Sequence, residues 1–218
     1  MCFSATASFT ASAALSVIAV LTYRQVRQRG YFWLVNVTSC FAMQQFLEGL
    51  LWLTYQGRLA ASWQPLLIYA FLFFAYLFWP TYTPLAILQL ERVKIRRRYL
   101  KILAGLGGLV SATLGILLVY GGAGAAVIDC RVVYQTGMVL GLDMHRLLEM
   151  VVSLAYVIST VGAILISTAP GLPLLGLALA LSYLIALYFY YSAFVSVWCF
   201  FAALLSLMIY GIVRQQRG

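Results

Sequence analysis

The sequence predicts an all-α transmembrane protein, a seven-helix bundle with its amino terminus outside and its carboxyl terminus in the cytoplasm. Seven long apolar stretches fill most of the 218 residues, and the basic residues collect in alternate gaps between them. Composition agrees, with 64% of residues hydrophobic and 9% charged, against roughly a quarter charged in an ordinary soluble domain. The formal net charge of +9 follows from that placement of Lys and Arg, which is the positive-inside bias of membrane proteins. It gives no reason to expect a nucleic-acid partner.

A hydrocarbon core of roughly 30 Å takes about 20 helical residues to cross. On that measure the spans fall at 4–23, 31–54, 65–89, 99–120, 144–167, 172–190 and 194–213. The run from Leu172 to Val213 would extend roughly 63 Å as one helix at about 1.5 Å per residue, so it must turn back near Tyr190 to Ala193. Arg24, Arg27 and Arg29 follow the first span; Arg92, Lys94, Arg96, Arg97, Arg98 and Lys101 follow the third; Arg214 and Arg217 follow the seventh. The opposite gaps hold Arg58 and Arg131. Seven crossings put all the basic gaps on one side, which the charge rule assigns to the cytoplasm of a bacterial inner membrane.

The first span has no basic segment before it, so it reads as a retained, reverse-oriented anchor rather than a cleaved signal. Within it Ser4, Ser8 and Ser12 recur every four residues among alanines, a small face suited to close helix packing. Asn36-Val37-Thr38 matches a glycosylation acceptor but falls inside the second span. In the third span Pro80 and Pro84 predict a kink whose freed carbonyls the bundle interior must satisfy. The one long connection, 121–143, begins Gly-Gly-Ala-Gly and then alternates: Ile128, Cys130, Val132 and Tyr134 on one side, Asp129 and Arg131 on the other. Period two predicts a strand. Gln135-Thr136-Gly137 would then be the turn and Met138 to Leu142 the return, a short β-hairpin over the external mouth. No repeat or linker divides the chain, which reads as a single integral membrane domain over 1–218.

The ionisable residues point to one membrane face. Cys40, Gln44, Glu48 and Trp52 stand at four-residue steps on the second span, with Gln45 alongside. A charged group at the bilayer centre costs roughly 2.5–3.5 kcal/mol on insertion scales, so such groups face the bundle and find partners. Glu48 lies about 9 Å below the external end of its helix, at about 1.5 Å per residue. The fifth span opens with Asp143, His145, Arg146 and Glu149, at a similar depth. If the second and fifth spans are neighbours, Glu48, His145 and Glu149 converge as acid/base groups or metal ligands. The alternative is structural, with Arg146 neutralising a carboxylate and His145 hydrogen-bonded to a neighbour. Cys2 is external, and without Met1 it would offer thiolate and amine together; with Glu48, His145 and Glu149 it makes a donor set for zinc or copper. Equally, Cys2 and Cys130 are two external thiols that a disulfide can join.

The opening Met1-Cys2-Phe3-Ser4-Ala5-Thr6-Ala7-Ser8-Phe9 and the stretch Phe41-Ala42-Met43-Gln44-Gln45-Phe46-Leu47-Glu48-Gly49-Leu50-Leu51-Trp52 resemble an uncharacterised bacterial integral-membrane family. Its members begin Met-Cys-Phe-Ser or Met-Cys-Trp-Ser. The resemblance implies no activity; it marks Cys2, Gln44, Gln45 and Glu48.

Three function classes follow. A metal site opening outward would activate water against a small or lipidic substrate, although one histidine cannot build a three-imidazole centre. A proton-coupled transporter, channel or sensor would use Glu48 with Gln44 and Gln45. A non-catalytic subunit of a membrane complex would need neither. A retinal Schiff base is excluded, because Lys94 and Lys101 lie at the third cytoplasmic gap. The expected partners are the lipid bilayer and a small-molecule or lipid substrate; nothing in the spacing sets an oligomeric state.

Overall fold

The computed structural model describes residues 4–136 and 142–215, without the side chains of 142–147. Seven helical segments form one bundle: α1 (Ala5–Tyr23), α2 (Arg29–Tyr55), α3 (Ala61–Leu90), α4 (Lys94–Gly121), α5 (142–166), α6 (Leu172–Phe189) and α7 (Tyr191–Gln215). Six of them are long and apolar enough to cross a membrane. The other, α2, has 27 residues, about 40 Å at 1.5 Å per residue, and carries the Asn36, Gln44, Gln45 and Glu48 side chains. The expected spans match these segments to within a few residues, and the reversal near Tyr190 is present. Tyr190 leaves helical geometry (φ −136°, ψ 35°) and a single 3₁₀ turn, Tyr191–Ala193, starts α7.

Local chemistry sets the helix ends. Ser4 caps α1, its hydroxyl accepting from the Ala7 N–H at 3.2 Å, and this satisfies one of the amides left over at a helix start. The small face of α1 packs on α2. Ser12 donates to the Ala42 carbonyl at 2.8 Å, and a Cβ at Gly49 would stand 2.8 Å from the Phe9 ring.

In α3 a π-helical segment, Phe73–Phe78, precedes Pro80. The Tyr156 hydroxyl donates to the Ala75 carbonyl at 2.7 Å and Ser111 to that of Leu77 at 2.6 Å. Side chains of α5 and α4 therefore satisfy backbone that the distorted helix leaves open. Close approach follows at Gly107 of α4, where an added Cβ would lie 1.8 Å from the Pro80 carbonyl oxygen.

The long connection forms a hairpin, with a turn earlier than the alternation predicts. β1 (Ala123–Ile128) pairs antiparallel with β2 (Arg131–Thr136), with Ile128 opposite Arg131. The turn is Asp129-Cys130, both at positive φ (48° and 56°), the geometry that matches the twist of a two-residue hairpin. Gln135 and Thr136, expected in the turn, are strand residues, and the first strand starts within the glycine-rich opening, at Ala123. The return strand expected from 138 onward falls partly outside the described residues. Tyr55 donates to the Ala125 carbonyl, the Phe71 and Tyr134 rings stack 4.6 Å apart, and the Arg131 guanidinium sits 4.9 Å from the Tyr190 ring centre. These contacts seat the hairpin on α2, α3 and the α6–α7 turn.

At the opposite end, a buried cluster of Tyr31, Leu34, Ile87, Leu100, Leu172 and Ile209 closes the bundle. There Glu91, 2% exposed, joins two connections. Its carboxylate accepts from the N–H groups of Arg92 (3.0 Å), Val93 (2.9 Å) and Thr168 (2.8 Å) and from the Thr168 hydroxyl. Burial alone would raise this carboxyl, but the hydrogen bonds outweigh it and hold it below its ordinary value. Arg97 donates to the carbonyls of Leu88 and Glu91, and Arg96 to that of Ile166, so these two cations close the carbonyl ends of α3 and α5.

Candidate functional site

The polar stripe of α2 faces the bundle interior. Gln44 and Gln45 are fully buried and Glu48 is 2% exposed, because α3 and α7 cover that face. Gln44 bridges the two: it accepts from the Trp79 indole N–H at 3.0 Å and donates to the Cys199 sulfur at 3.3 Å. The Phe41 ring stacks on Trp79 with centres 4.0 Å apart. One turn toward the hairpin, Glu48 accepts from the Ser196 hydroxyl at 2.5 Å. Among the described residues no basic side chain stands beside it.

Around Glu48 the polar inventory does not close. The Gln45 side chain lies beside the carboxylate, yet neither its amide nitrogen nor its oxygen reaches hydrogen-bond geometry with any group. The Trp52 indole N–H, one turn along, and the Tyr134 hydroxyl of β2 are likewise buried without a partner. Burial pushes the Tyr134 phenol well above its usual value, and the Glu48 charge adds to that, which puts the two within electrostatic reach. Buried polar groups in folded proteins nearly always pair with protein or ordered water. Three side chains with unpaired polar atoms thus lie near the one acid: Gln45 beside it, Trp52 one helical turn along and Tyr134 within reach of its charge.

Below the Gln44 bridge the bundle holds an apolar cavity of about 70 Å³, with Phe41, Trp79, Tyr156, Trp198 and Cys199 at one end and Leu34, Leu172 and Ile209 at the other. It separates the polar site from the basic end.

Among the described residues the second and fifth spans are not each other's main packing partners. α2 packs against α1, α3 and α7, whereas α5 packs against α3, α4 and α6. Glu149 is exposed on α5, its charge reaching Tyr76. The side chains of His145 and Arg146, and all of Cys2, lie outside the described residues. Cys130 is exposed at the hairpin turn; the pairing with Cys2 thus also falls outside. Among the described residues no three His, Cys, Asp or Glu side chains cluster as metal ligands. Gln44, Gln45, Glu48 and Trp52 are legible as a stripe in the sequence, whereas Ser196, Tyr134 and the Glu91 latch are not. Ser196 carries no signal in a chain rich in small hydroxyls. Alternation puts Tyr134 on one side of a strand, but that it stacks on Phe71 and lies within reach of the Glu48 charge is decided by how the hairpin seats on the bundle.

The fold and site define a helical membrane-type bundle with one buried, incompletely partnered carboxylate. The chain belongs to a family of unknown function, DUF6629, whose profile matches residues 1–218. No curated protein matches it, and no solved structure does.

Proposed function

We propose that this chain is a membrane-spanning binding protein of transporter or sensor type, taking up a proton or a small polar solute at Glu48 from the outer face of a bacterial inner membrane. The observation that carries the reading is the Gln45 amide oxygen, fully buried and without a partner, beside a carboxylate that lacks a basic partner among the described residues. An isolated buried charge is costly. The site must therefore exchange its charge or match it. The hairpin with Tyr134 lies over this end, and the basic residues Arg24, Arg27, Arg96, Arg97 and Arg214 lie at the other, which supports an external amino terminus and a cytoplasmic carboxyl terminus.

Infrared difference spectra of the protein in liposomes across a pH step test this. A protonated-carboxyl band that titrates in the native protein and vanishes in Glu48→Gln is expected; a band unchanged by the substitution would overturn the assignment. The rival centre of zinc or copper on Cys2, Glu48, His145 and Glu149 predicts stoichiometric metal in purified protein, lost in His145→Ala. Finding that metal would displace the exchanging site at Glu48.

A further inference from the structure

We propose that the site beside Glu48 binds a monovalent alkali cation, held by the Glu48 carboxylate together with the neutral oxygens of Gln45, Ser196 and Tyr134. The proposal rests on the reading of Glu48 as an exchanging site and names the ion that it exchanges.

Charge sets the valence. Of the five acids in the chain, Glu91 is tied into the latch at the basic end, Asp129 sits in the hairpin turn and Glu149 is exposed. The side chain of Asp143 lies outside the described residues. Glu48 is thus the one described acid in the buried site and supplies a single negative charge. Divalent ions usually draw several carboxylates or keep much of their water, which this apolar surround does not favour.

Donor type sets the chemistry. The oxygens near Glu48 are hard donors: the unpaired Gln45 amide oxygen beside it, the Ser196 hydroxyl that contacts the carboxylate, and the unpaired Tyr134 hydroxyl within reach of its charge. The nearby sulfur of Cys199 is engaged by Gln44. Oxygen sets of this kind suit alkali and alkaline-earth ions rather than zinc or copper. The apolar cavity lies beyond the Gln44 bridge, so it offers an ion no competing seat.

The test is thermal unfolding of the purified full chain in detergent, with sodium chloride replaced stepwise by choline chloride at constant ionic strength. A ligand that binds the folded state raises the unfolding midpoint with concentration. The native protein should show a midpoint that climbs with sodium, and Glu48→Gln should abolish the climb. Tyr134→Phe should move it to about tenfold higher sodium, the equivalent of losing one good contact, and Asp129→Asn should leave it unchanged. If Glu48→Gln does not fold, Tyr134→Phe and Ser196→Ala carry the same readout. Equal midpoints in sodium, potassium, lithium and choline, with the carboxyl band of Glu48 still titrating, would overturn the cation and leave a proton site. Absence of both responses would sink the reading of Glu48 as well. A sodium response that survives Glu48→Gln would also overturn the proposal.

Discussion

Glu48 and Glu91 are both buried carboxylates, and their neighbours give them opposite characters. Glu91 takes hydrogen bonds from three backbone N–H groups and one hydroxyl, so its charge is satisfied in place and its folded value is depressed. Its contribution to stability is therefore complete above the unfolded carboxylate value of about 4.3 and is lost as pH falls through the lower folded value. Glu91→Gln should cost about 1–3 kcal/mol near neutral pH and flatten the acid limb of a stability–pH curve; an unchanged acid limb would show that the latch is not where that dependence lies. Gln44 is satisfied at both ends, and Gln44→Ala would strand the buried Trp79 N–H, at a cost of about 1–3 kcal/mol read from the unfolding midpoint. Gln45 invites the contrary expectation. Because its amide oxygen has no protein partner and its amide lies beside Glu48 without full hydrogen-bond geometry, Gln45→Leu should cost no more than about 1 kcal/mol of stability while weakening whatever Glu48 binds.

At the scale of elements, two departures from regular geometry position the site. The π segment of α3 turns Trp79 toward Gln44 while α5 and α4 supply hydroxyls to its carbonyls. Where α4 crosses, Gly107→Ala would press a methyl into the Pro80 carbonyl; overpacking of this kind costs about 1–3 kcal/mol, and a lowered unfolding midpoint checks it. The hairpin turn holds two non-glycine residues at positive φ. Replacing them by Asn-Gly suits that geometry and should slow amide exchange in β1 and β2, since glycine enters the left-handed region without strain. Faster exchange would mean that Cys130 makes a contact worth more than the strain.

For the whole molecule, orientation is the open quantity with a direct measurement. Arg58 lies at the hairpin end and Arg98 at the basic end. In a chain freed of its native cysteines, Arg58→Cys should react with an impermeant thiol reagent in intact cells and Arg98→Cys only after the membrane is opened. The reverse pattern would invert the topology.

The sequence by itself determined the seven helical segments, the reversal at Tyr190, the proline-disturbed α3 and the inward stripe of Gln44, Gln45 and Glu48. Each of these is a local consequence of hydropathy, proline or helical period, and needs no knowledge of which helices touch. Tertiary structure alone decided that Glu48 meets Ser196, that Tyr134 comes within reach of its charge and that Glu91 clasps Thr168. Those pairs are separated by 148, 86 and 77 positions. Helical period places a side chain on a face, but which face meets it depends on how apolar surfaces of similar composition choose one another, and residue spacing does not encode that choice.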